Sequence, residues 1–115
     1  MNRNRDHQAP ATIHLSDQTF DEAMAETGDL MMVDFWADWC APCHAVAPVL
    51  EELAEASEGR VTLVKVNVDE NPGLVARYSI RSVPTILFVK EGKVVDRIVG
   101  AAPKAVLQDI VNARA

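Results

Sequence analysis

The stretch Leu30–Ala37, LMMVDFWA, constrains the fold more than any other part of the chain, because it is apolar at every position but Asp34. A strand with one wet face alternates apolar and polar residues. A strand covered on both faces reads as an almost unbroken apolar run. This segment is therefore expected in the middle of a sheet, with helices packed on both sides.

The remaining pattern supplies those covers. Ser16 resembles an N-cap for a helix over 17–27, with Phe20, Ala23 and Met24 on one face and Gly28-Asp29 ending it. A long helix is expected over 40–58, where Val46, Val49, Leu50 and Leu53 fall at helical spacing. Pro48 lies inside it and predicts a kink, and Gly59 closes it. Residues 61–68 alternate Val64, Val66 and Val68 with Lys65 and Asn67, the period of a strand. Asn71-Pro72 opens a short helix to about Tyr78. A strand over 85–90, a tight turn at Glu91-Gly92 and a partner strand over 93–99 read as a hairpin. Pro103 starts a last amphipathic helix through Val106, Leu107 and Ile110. A short strand over 12–15 completes the order. Alternation of strands and helices followed by a hairpin predicts an α/β fold, with a central mixed β-sheet flanked by helices on both faces.

A chain of 115 residues, 49% of them hydrophobic, has the size and apolar content of one domain. We expect that domain over 12–115, after a disordered leader over 1–11. Eleven basic against 17 acidic residues give a net charge of −6. The basic residues are scattered, which argues against a nucleic-acid or anionic-membrane partner. No apolar stretch approaches the roughly 20 residues of a membrane span. The leader is polar, unlike a secretory signal. A cytoplasmic, monomeric protein is the expectation.

Cys40 and Cys43 are the only cysteines. On a helix, positions i and i+3 share a face about 5–6 Å apart, within the span a disulfide requires. The pair can therefore close and open in place, as a redox couple must. The helix start also offers unpaired N–H groups and a partial positive charge, which stabilise a thiolate at Cys40 and lower its pKa. Cys40, beyond the first turn and nearer solvent, is the expected attacking thiol. Cys43, one turn inside, is the expected resolving thiol. Two other readings stand beside this one. A zinc site needs about four ligands, and besides the pair only His7, His14 and His44 are on offer among histidines. A structural staple over so short a loop contributes only about 2 kcal/mol. The redox pair is the reading we carry forward, with no metal.

The segments VDFWADWCAPC, VNVDENPGLVARYSIRSVPTILFVKEGKVV and IVGAAPK occur in order and resemble the thioredoxin family. The match runs from about Thr12 to the end. A W-C-x-P-C box, an Asp six residues before its first Cys and a distant S-V-P-T are specific in combination. The resemblance implies a thioredoxin fold with no bound cofactor. It also implies a cycle of protein-disulfide reduction in client proteins, re-reduced by an NADPH-dependent thioredoxin reductase. An oxidase or isomerase, or a binding and scaffolding module, are the alternative functions.

The resemblance also implies site roles. Asp34 is desolvated by its neighbours, which raises its pKa, and the family role is proton exchange with Cys43. An edge-strand position facing solvent is the bland alternative. Strand alternation alone makes Lys65 a solvated residue, whereas the resemblance puts it beside Asp34. Val83-Pro84 is cis in the family, next to the cysteine pair, and offers the Val83 backbone to an extended substrate. Trp39, Ala41, Pro42, Val83, Pro84, Val99, Gly100 and Ala101 match the family's substrate groove, with core filling as the alternative for the apolar ones. Trp36 reads as packing against the active-site loop. Two positions depart from the pattern. Ala41 stands where glycine is common and favours helix by about 1 kcal/mol. His44 stands where Lys or Arg is common, and histidine titrates near neutrality. Both bear on the redox potential.

Overall fold

The computed structural model describes residues 12–26 and 29–115. The expected leader and the Gly28 helix stop lie outside the described residues. The chain runs β1 (Thr12–His14), α1 (Phe20–Glu26), β2 (Leu30–Trp36), α2 (Ala41–Ala56), β3 (Val61–Asn67), α3 (Pro72–Arg77), β4 (Thr85–Lys90), β5 (Lys93–Val99) and α4 (Lys104–Arg114). One five-stranded sheet has the order β1-β3-β2-β4-β5. β1 and β2 pair parallel with β3; β4 pairs antiparallel with β2 and β5. The sheet is mixed, as expected, and the apolar run of β2 occupies its centre.

Strand alternation divides β2 between two cores. Leu30 and Met32 face α2 and α4, packing with Val46, Leu50, Leu53, Leu107 and Val111. Met31, Val33 and Phe35 face the other way, packing with Phe20 of α1 and Leu74 of α3. Each such side chain, fully buried, contributes about 1.5–3 kcal/mol relative to exposure. Among the described residues no helix is long and apolar enough to cross a membrane.

The hairpin follows from local turn chemistry. Glu91 and Gly92 both adopt positive φ, 53° and 79°, the combination a two-residue turn needs to match strand twist. A bulge beside Phe88 and Val89 shifts the register, so Phe88 opposes Asp96 while Val89 opposes Val94. α2 continues through Pro48 as helix. It stops at Ser57, whose Oγ donates to the Ala54 carbonyl (2.7 Å) and accepts from the Val61 amide (2.9 Å).

The first helix departs from expectation. It begins at Phe20, three residues beyond the anticipated start, after a turn in which the Phe20 amide donates to the Ser16 carbonyl at 3.0 Å. Asp17 is drawn away to another helix. Its carboxylate accepts from the Gly73 and Leu74 amides at 3.0 and 2.8 Å, capping α3 from 56 residues away. In return the Asp17 amide donates to Asn71 Oδ1 at 2.9 Å. A Cβ on Gly73 would meet Asp17 Oδ2 at 2.9 Å, so glycine is what admits the carboxylate.

Candidate active site

The C-terminal end of β2 passes directly into the cysteine pair. Cys40 is the N-cap residue of α2, with extended backbone, and Cys43 lies one turn inside. Their Cα atoms are 5.3 Å apart and their sulfurs form a disulfide. The Cys43 amide donates to Cys40 Sγ at 3.2 Å. That is an ordinary helix-cap bond with sulfur in place of the usual oxygen, and the same amide stabilises a thiolate once the bond is reduced. Cys40 is 4% exposed and Cys43 1%. Both residues are thus buried, Cys40 slightly less so, and Cys40 is more covered than its place at a helix tip predicts. Ala37, Trp36, Val68 and Val83 close around the pair.

Asp34 is fully buried. By alternation its side chain shares the face of Leu30 and Met32, the face that packs against α2 and α4. Desolvation raises its pKa above the usual carboxylate value, opposed by the charge and contact of Lys65. The edge-strand alternative for Asp34 is excluded, because β2 is central.

The expectation that strand alternation leaves Lys65 solvated is overturned. Lys65 is 8% exposed, stands opposite Asp34 in the β2–β3 register, and holds its Nζ 3.1 Å from Asp34 Oδ2. An ammonium at this distance favours the ionised carboxylate and offsets part of the cost of burying it. The same ammonium lies 5.1 Å from the centre of the Trp36 ring, a cation–π contact. Alternation misleads here because both faces of β3 are covered; the covered charge needs a partner, and the neighbouring strand supplies it.

The Val83–Pro84 peptide is cis, and Val83 packs against the cysteine cluster. The Gly100 amide donates to the Pro84 carbonyl at 2.8 Å, tying the end of β5 to this loop. Val99 is 62% exposed, not core. Ala41, Pro42 and Ala101 are also exposed, Gly100 and Val83 half-buried, and Pro84 buried. Trp39 is 70% exposed, yet its Nε1–H donates to Asp69 Oδ2 at 2.9 Å.

Two partners escaped the sequence reading. Asp69 lies two residues past β3, and β3 runs parallel to β2, so the loops after both strands emerge at the same end of the sheet. A carboxylate just after the neighbouring parallel strand was the available signal. The Asp38 carbonyl, bound by His44 at 2.7 Å, had none, because a backbone acceptor has no signature in sequence. Among the described residues no three of His, Cys, Asp and Glu converge on a metal-sized site.

The comparisons agree with this geometry. The Thioredoxin family model matches residues 11–113. Thioredoxin 1 of Nostoc sp. is 46% identical over 89% of this chain and 95% of its own. Thioredoxin of Chlorobaculum thiosulfatiphilum is 48% identical over 77% of the chain and 82% of its own. Thioredoxin of Synechocystis sp. is 47% identical over 84% and 91%. A cysteine pair at a helix N-terminus, reached from a strand that carries a buried carboxylate, in a chain this similar to named thioredoxins, has one consistent explanation. The chain belongs to the thioredoxin family and is a thiol–disulfide oxidoreductase.

Proposed function

We propose that the chain is a general protein-disulfide reductase of the cytoplasm, acting as a monomer, with an NADPH-dependent thioredoxin reductase restoring its dithiol. Cys40 is the nucleophile. Its thiolate attacks one sulfur of a client disulfide, forming a Cys40–client bond and releasing the other client sulfur as a thiolate. Cys43 then loses its proton and attacks Cys40 Sγ. The mixed disulfide breaks, the second client sulfur leaves, and the Cys40–Cys43 disulfide forms. Two electrons pass to the client, and two protons leave the dithiol.

Asp34 handles the proton of Cys43. A carboxylate held above its normal pKa by burial can accept a thiol proton and return it. Lys65 limits the rise, keeping the carboxylate ionisable. Trp39, Ala41, Pro42, Val83, Pro84, Val99, Gly100 and Ala101 form the rim on which an extended client segment lies. The exposed apolar surface of Trp39 and Val99 suits such a segment.

The Cys43 amide donating to Cys40 Sγ carries this reading, because it distinguishes the stabilised sulfur from its partner. Insulin reduction with NADPH and thioredoxin reductase tests it. Cys40→Ser should show no turnover. Cys43→Ser should accumulate a client joined through Cys40. A Cys40→Ser variant that still reduces insulin overturns the assignment.

A further inference from the structure

We propose that His44 is a positioning residue for disulfide exchange: its Nε2–H clamps the Asp38 carbonyl and keeps Trp39 and Cys40 seated against the N-terminus of α2. His44 stands four residues after Cys40, one turn along the same helix face. Helical side chains lean toward the N-terminus, so its ring reaches back over the loop that leads from β2 into α2. Nε2 lies 2.7 Å from the Asp38 carbonyl oxygen. A carbonyl only accepts, so the proton sits on Nε2. The ring also stands edge-on to Trp36, 6.2 Å between centroids and 71° between planes.

The clamp has a counterpart. Residues 38 and 39 are held at two points, the Asp38 carbonyl by His44 and the Trp39 indole by Asp69. The next residue is Cys40, whose sulfur depends on staying near the Cys43 amide at 3.2 Å. A loop released at Asp38 lets that sulfur wander from its donor. The thiolate is then less stabilised, and attack slows. The inference rests on Cys40 being the attacking thiol.

The reduced full-length chain, with His44→Gln, His44→Asn and His44→Ala, tests both ideas separately. A glutamine amide nitrogen occupies the place of Nε2; that of asparagine falls short, at the place of Nδ1. The readouts are the rate of iodoacetamide labelling at fixed pH, with the labelled cysteine identified by mass spectrometry, and insulin reduction. His44→Ala and His44→Asn should react about threefold to tenfold more slowly, the worth of one hydrogen bond. His44→Gln should restore the parental rate. Equal rates in the Gln and Asn variants, or a parental rate in the Ala variant, overturn the clamp. First labelling of Cys43 instead of Cys40 overturns the assignment on which it rests.

Discussion

On the sheet face covered by α1 and α3, no charged side chain is buried among the described residues, and the buried polar ones are bonded. Asn71 accepts from the Asp17 amide, and Thr85 Oγ1 donates to the Ser82 carbonyl at 2.7 Å. On the face covered by α2 and α4, the row that begins Leu30 and Met32 continues to Asp34, and the row that begins Val61 and Leu63 continues to Lys65. The first face buries apolar side chains and bonded, uncharged polar groups. The second carries a buried ion pair, Asp34 with Lys65. Such a group is costly to bury. The cost falls on the strand that leads into the cysteine pair, and under the proposed function that carboxylate is the group that exchanges a proton with Cys43.

Variants on the two faces should separate accordingly. The largest effect is expected from Phe20→Ala, which empties a fully buried site on the apolar face. Denaturant unfolding should show a loss of about 3–5 kcal/mol, with turnover per folded molecule unchanged. A matching loss of turnover would mean that the faces are not independent.

Asp34→Asn should do the reverse, slowing turnover while leaving the fold intact or more stable. Its pH dependence has a definite sign. The folded pKa lies above the unfolded one, so the folded state binds more protons over the interval between them. The wild type is therefore most favoured below the unfolded pKa and loses stability as pH rises through the folded value. Melting curves should show the Asn variant gaining on the wild type from pH 4 to pH 8. Unchanged turnover across pH 6–9 would remove Asp34 from the mechanism.

The smallest effect is expected at the long-range cap. Asp17→Ala should cost about 1 kcal/mol, seen as a lower melting temperature, with insulin reduction intact. An effect on turnover would link the α3 end to the site.

The sequence reading succeeded where the determinant is local. The hairpin over 85–99 was legible because Glu91-Gly92 can adopt the positive φ pair its turn requires. The place of Cys40 at a helix start was legible because the break between apolar strand and helix falls near it, although the structure makes it the cap and begins the helix at Ala41. It failed where the partner is distant. Ser16 looks like the start of a helix at 17, but Asp17 serves α3 instead. Lys65 looks wet because nothing within its own strand shows that Asp34 stands opposite. The family resemblance supplied that neighbour; periodicity did not.

Two things, then, have different origins in this protein. Its sequence alone determines the central strand, the thiol spacing and the helix that opens on Cys40, because hydrophobic period, i to i+3 geometry and cap chemistry act within a few residues. Only the tertiary structure decides that Lys65 is buried against Asp34, that Asp69 holds Trp39, and that Asp17 caps a helix 56 residues away. Strand order and register set those distances, and a side chain's charge is stabilised by whatever the fold brings beside it.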